Sequence, residues 1–266
     1  MKKVFAAVLS LAAMTALFAF GVASCRNGHP KSLLDQIMAK GELVIATEGV
    51  WAPWSFHNSK NELTGFDVDV SKEICRRLGL RPKFVEMEWE RIFTCLENKD
   101  CDVAINGVEA TAERTKRFYF TQPYAYDTTA IITRKDNNNI KSFGDLAGRT
   151  SANSLESTYY EIAENFGAIS ILIDSFDETI KLILEDRADT TLNSASTMYY
   201  YLRSNPNAQV KVAAISDIYM PIAAVCRRGE ENLSLLAKLN QTLEAMHSDG
   251  ILTEISMKYF EKDITK

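Results

Sequence analysis

The segment INGVEATAER, residues 105–114, places a carboxylate, Glu109, and a guanidinium, Arg114, five positions apart. Both follow DVAI, an apolar stretch that reads as a strand, and the pair Asn106-Gly107, which reads as its end. Small residues surround the two charges, so they do not form part of a regular polar helix face. A planar guanidinium suits a carboxylate, which it holds through two parallel hydrogen bonds. From the residues alone three readings stay open: the two side chains face a ligand, pair with each other, or point into solvent.

The elements that would position this pair are legible on either side. GELVIAT (41–47) is a short apolar strand, and DVSKEICRRLG is a helix with Val70, Ile74 and Leu78 on one face and Gly79 at its end. KFVEM reads as a second strand, WERIFTCLENK as a helix with Trp89, Ile92, Phe93 and Leu96 inward, and DVAIN as a third strand. Strands alternating with helices imply an α/β fold with a parallel sheet. The stretch ERIFTCLENKDCDVAIN is echoed by ETIKLILEDRADTTLN, each a helix feeding a strand that ends in Asn, which suggests two lobes of one architecture. Beyond it, Thr158 with Glu161 and Ser175 with Glu178 fit the Ser/Thr-x-x-Glu capping box. FDETIKLILEDR puts Phe176, Ile180, Ile183 and Leu184 on one face, and the C-terminal region holds two helices broken near Asp249-Gly250. The triple Tyr199–Tyr201 reads as ordinary helix packing.

The 266 residues and 46% hydrophobic content suffice for one large or two modest lobes. A net charge of −5 without basic runs gives no indication of a nucleic-acid partner. Lys2 and Lys3 precede an apolar run from Val4 to Phe20 and then GVASC, the pattern of a signal peptide over residues 1–24. A transmembrane anchor is the competing reading, since the run nearly reaches spanning length. VASC resembles the bacterial lipoprotein signal, with Cys25 as the lipidated residue and residues 25–40 as a tether. The mature chain is then expected in the periplasm or at the cell surface, held by acyl chains. Cys75 and Cys226 sit in apolar patterns and read as buried thiols, whereas Cys95 and Cys101 are close enough in sequence to admit a bridge. No His/Cys spacing points to a metal, and no cofactor is expected.

GELVIATEGVWAPWSFHNSKNELTGFDVDV, TAERTKRFYFTQPY, FGDLAGRTSANSLESTYYEIA and RADTTLN, in that order, resemble the polar amino-acid-binding family of extracellular solute-binding proteins of ABC importers. The likeness runs from about Gly41 to the C-terminus. It leans toward cystine-binding members through TEG, SLEST and YLRSNPNAQVKV. It implies a two-lobed, type II periplasmic-binding-protein-like α/β fold with two crossing hinge strands, near AYDTTAI and AISDIYM, and a ligand cleft between the lobes. Lobe one is then 41–126 plus 218–266, and lobe two 127–217. The family role implies an amino-acid ligand, polar and cystine-like or basic, an importer permease as partner, a monomer, and no catalysis.

The resemblance also assigns the site. Arg114 matches the family's carboxylate-binding arginine, and parallel strands open their C-terminal ends onto such a cleft. Trp51 and Trp89 match positions that pack on the ligand side chain, with core packing as the alternative for each. Glu48 matches an acidic position of members that bind basic side chains, and Gly107 lies in the same loop as Glu109. Ser157 and Thr158 stand at a helix N-terminus, where free N–H groups suit a carboxylate. The family usually places an Asp after the lobe-two strand to hold the ligand's ammonium, where this chain has Ser194. The position of Glu109 is usually Ser or Thr. The pattern implies that Glu109 takes over as the ammonium's counter-ion, with Ser194 a neutral acceptor. Two other functions fit the same scaffold: a cyclohexadienyl-dehydratase-like enzyme using Glu109 as acid or base, and a ligand-sensing subunit.

Overall fold

A computed structural model describes residues 32–266. The signal-like segment and Cys25 lie outside the described residues. The sequence predicts a tether through residue 40, but the structure has a helix at Leu33–Lys40. Ser32 and Asp35 form its capping box, and Leu33 and Ile37, one turn apart, are buried in the core. Among the described residues no helix is long and apolar enough to cross a membrane.

In chain order the strands are β1 (Glu42–Thr47), β2 (Val50–Trp51), β3 (Ser55–His57), β4 (Leu63–Thr64), β5 (Arg81–Glu86), β6 (Val103–Ala104) and β7 (Phe118–Phe120). They continue with β8 (Ala125–Arg134), β9 (Thr150–Asn153), β10 (Ile169–Leu172), β11 (Thr190–Ser194), β12 (Val210–Ile222) and β13 (Val225–Arg227). Two five-stranded sheets result, ordered β5-β1-β6-β13-β7 and β10-β9-β11-β8-β12, with a small antiparallel sheet β2-β3-β4 beside the first. In the first sheet β5, β1 and β6 are parallel and β13 antiparallel to β6. In the second, β10, β9 and β11 are parallel and β8 antiparallel to β11. The protein therefore has a two-lobed α/β fold. The chain passes from the first sheet to the second through β8 and returns through β12. These two strands pair antiparallel from Ala125↔Ile222 to Arg134↔Val210, with a register shift between Ile215 and Tyr219.

The helices follow their apolar faces. Val70, Ile74 and Leu78 are buried in Phe66–Leu78, which ends at Gly79 in the left-handed conformation. Trp89, Ile92, Phe93 and Leu96 are buried in Trp89–Glu97. Phe176–Leu184 differs in part: Ile180 and Ile183 are buried, but Leu184 is exposed and Leu182 takes the inward position. Each of these last two helices leads into a strand, β6 or β11, as the sequence echo suggests. The C-terminal helices Leu233–Ser248 and Ile251–Phe260 cover the first sheet, burying Leu235, Leu239, Leu243 and Leu252 with Leu43, Ile45 and Ile74.

Candidate functional site

A cleft lies between the C-terminal ends of the two sets of parallel strands, with about 640 Å³ of non-atom space, its open mouth included. Sheets of this kind bind ligands at that edge. Glu48, Trp51, Trp89, Gly107, Glu109, Arg114, Ser157 and Thr158 line it together. Ser194 does not. Its hydroxyl accepts the Thr197 N–H at the start of the helix Ala195–Ser204 and donates to Thr197 Oγ1 at 2.7 Å, so the hydroxyl is committed to capping that helix.

The loop after β6 is shaped by Gly107. Its φ is +56°, and a Cβ there would sit 2.5 Å from the Trp51 ring, so both conformation and space call for glycine. The turn lets Val108 and Glu109 run against Ile222 and Ala223 of the returning chain. That backbone contact drives the Glu109 side chain into the interior, where it is 5% exposed. Thr158 Oγ1 donates a hydrogen bond to Glu109 Oε2 from the opposite lobe. Thr158 is thus not the helix cap: Ser157 takes that role, accepting Tyr160 N–H, and leaves Thr158 free to face the cleft. Burial pushes the Glu109 carboxyl up to about 7, against the lowering effects of the Thr158 bond and Arg114.

Arg114 does not form an ion pair with Glu109. Its guanidinium donates to two carbonyls, Glu109 O at 3.2 Å and Glu156 O at 3.0 Å, and so spans the lobes. It lies over the rings of Trp89, 5.1 Å away, and Phe93, 5.4 Å away. Trp89 therefore serves core and cleft at once, since it is buried in the cluster with Ile92 and Phe93 and also forms the cleft floor. Burial lowers the Arg114 pKa from its ordinary value.

Glu48 is held by Asn106, whose Nδ2 donates to Glu48 Oε2 at 2.6 Å. Asn106 Oδ1 in turn accepts Glu48 N–H, Thr47 Oγ1 and Ser55 Oγ, which fixes the end of β1 to the end of β6. Desolvation raises the Glu48 carboxyl to about 7. Neither Glu48 nor Glu109 makes an ion pair within the described residues.

Sequence reasoning finds Ser157 and Thr158 on the lobe-two wall but misses the rest of it. Asn153, Tyr159, Asp174, Phe176 and Asn193 also line the cleft. Asn153 ends β9, Asp174 lies just past β10 and Asn193 lies near the end of β11. The strand-end rule that singles out Glu109 would have found all three. Trp54 is missed too, though it is fully buried, stacks on Trp51 at 5.5 Å and donates to Thr197 across the lobes. Trp51 Nε1 bonds Asn193 Oδ1 at 3.2 Å, so the two lobes are joined over the cleft.

The sequence profile of the bacterial extracellular solute-binding proteins, family 3, matches residues 43–262. The chain belongs to that family. A solute-binding relative from Haemophilus influenzae, named a probable amino-acid ABC transporter-binding protein, is 36% identical over 95% of this chain and 97% of its own. The L-cystine-binding protein TcyA of Bacillus subtilis is 34% identical over the full length of both chains. Among solved structures, a mutant of the T. maritima protein ArgBP superposes with a TM-score of 0.80 at 28% identity, covering 86% of this chain and 99% of that one. The two-lobed architecture of this solute-binding chain is thus that of its family.

Proposed function

We propose that the protein is an extracytoplasmic lipoprotein, anchored through Cys25, that acts as a monomer to capture an amino acid by lobe closure and deliver it to an ABC importer. The observation that carries this reading is the placement of buried charge. One guanidinium, Arg114, and two desolvated carboxylates, Glu48 and Glu109, face one cleft, whose wall also carries the solvent-exposed Asp174. A desolvated carboxylate without a cationic partner costs several kcal/mol, and a ligand ammonium removes that cost. Arg114 receives the ligand carboxylate on the N–H groups that do not hold Glu109 O and Glu156 O. Glu109 balances the α-ammonium in place of an Asp at position 194. The excess of acid over base favours a ligand with a second cationic group, cystine or a basic amino acid. The names of the B. subtilis and T. maritima relatives agree with that class.

Glu48, Trp51 and Trp89 surround the ligand side chain, and Ser157 and Thr158 close over it from lobe two. Closure is a hinge motion along β8 and β12 that the ligand favours by touching both lobes. A thermal-shift screen of the protein against the amino acids and cystine tests this function. A ligand in large excess over its Kd raises stability by a few kcal/mol. No shift with any of them would refute amino-acid capture.

One observation favours a second reading, an enzyme. A carboxyl at about 7 in a closed cleft suits general acid–base work at neutral pH. Consumption of a prephenate-like acid that stops in Glu109→Gln would establish it.

A further inference from the structure

We propose that Cys95 and Cys101 are joined by a disulfide in the exported protein, formed as the chain folds and then sealed inside the first lobe. The backbone between them closes a tight reversal. At the end of the helix Trp89–Glu97, Lys99 takes a left-handed φ of 66°. Lys99 N bonds Leu96 O at 3.2 Å, and Asp100 N bonds Cys95 O at 3.0 Å. This doubly bonded helix stop turns the next residue back over the last helical turn. That residue is Cys101. Both cysteines are buried as free thiols in the same cluster with Ile92, Leu96 and Val225. Cys75 and Cys226 belong to a different cluster, with Leu43 and Ile74, so the fold itself selects the pair.

A second element locks the reversal. Arg227, on β13, is 9% exposed and donates through Nη1 to Leu96 O at 3.4 Å and Cys101 O at 3.1 Å. It holds the two arms of the turn at one distance. An extracellular solute-binding protein matures in an oxidising compartment, where such pairs persist. The reaction is thiol–disulfide exchange with a disulfide donor such as an oxidised dithiol protein or oxidised glutathione. The thiolate of one cysteine attacks the donor disulfide and expels one donor thiolate. The second cysteine then attacks the mixed disulfide and expels the other. Two electrons pass to the donor, and the two cysteine protons end on its thiols. Burial raises the Cys101 thiol pKa, so exchange belongs to the folding chain and the finished bond is shielded from reductants. The bond ties the helix that carries Trp89 and Phe93, beneath Arg114, to the strand that leads to Gly107 and Glu109.

The test is to isolate the full chain from bacterial envelopes, block free thiols with N-ethylmaleimide in denaturant, and map tryptic peptides by mass spectrometry. Cleavage after Lys99 separates the two cysteines. The expected result is maleimide on Cys75 and Cys226, none on Cys95 or Cys101, and peptides 92–99 and 100–114 recovered as one linked species. In Cys95→Ser, Cys101 should carry maleimide, a readout that does not require the variant to fold. Maleimide on both Cys95 and Cys101 in the unaltered chain, a bond from either to another cysteine, or continued protection of Cys101 in Cys95→Ser would each overturn the proposal.

Discussion

At the residue scale the account rests on two side chains that the sequence exposes and the fold reorganises. Arg114 and Glu109 are five residues apart in the chain, yet the structure does not spend them on each other. Arg114 reaches across to Glu156 O, and Glu109 is reached from across by Thr158. Replacing Arg114 with Lys keeps the charge but loses the planar fork, and we expect ligand affinity to fall by about 2–3 kcal/mol in calorimetry. An unchanged Kd would remove Arg114 from the site. Glu109→Gln leaves the ligand ammonium without its counter-charge in a dry cleft and should weaken binding by roughly 2–5 kcal/mol. Proton linkage gives an independent check. Glu48 and Glu109 sit near 7 without ligand, and a bound ammonium favours their ionised forms. Affinity should therefore rise between about pH 5.5 and pH 8, with net proton release on binding that shows as a dependence of apparent enthalpy on buffer ionisation. Proton uptake would contradict the pairing.

At the element scale, strands and helices with strong apolar periodicity were legible in the sequence because burial of one face dictates them. The helices Phe66–Leu78 and Trp89–Glu97 and the break at Asp249-Gly250 follow this logic. What lay outside it were features set by tertiary contacts. Leu33–Lys40 looks like a tether until its apolar pair finds the first-lobe core. Thr158 and Ser157 are both good cap residues, and only the position of Glu109 in the other lobe decides which one caps. Ser194 stands at the end of strand β11, where the family usually has an Asp, but its hydroxyl is taken by its own helix. The loop after β6 gives a prediction at this scale. Gly107→Ala adds a Cβ against the Trp51 ring at a left-handed φ, and should lower stability by more than about 1 kcal/mol in denaturant unfolding. A neutral effect would mean that the loop relaxes freely and does not fix Trp51.

At the scale of the whole molecule, buried acids make stability depend on pH in a specific direction. Glu48 and Glu109 rise from 4.5 and Asp67 from 3.8, each to about 7. Between these values the folded chain holds protons that the unfolded chain has released, so unfolding free energy falls as pH rises from about 4 to 7. The effect is of order 3 kcal/mol per carboxyl. Glu73 and Asp263, lowered to about 2 beside their partners, act below that window and lose their contribution as pH falls. The ligand-free protein should thus be most stable near pH 4, where the two effects balance, and melting across pH 3–8 checks it. A maximum at pH 8 would show that the cleft acids are already paired. Anchoring belongs to this scale as well: Cys25→Ser should release the protein from membranes, and retention after normal cleavage of the leader would exclude a lipid at that residue. The most direct measurement compares three compounds by calorimetry: L-cystine, its decarboxylated analogue cystamine, and its deaminated analogue 3,3′-dithiodipropionic acid, with the equivalent trio for any amino acid that gives a larger thermal shift. If Arg114 and the cleft acids grip opposite ends of one amino acid, the parent binds and each analogue is weaker by about 30-fold or more, the loss of one charged contact of about 2 kcal/mol. Analogues that bind as tightly as the parent would contradict the account.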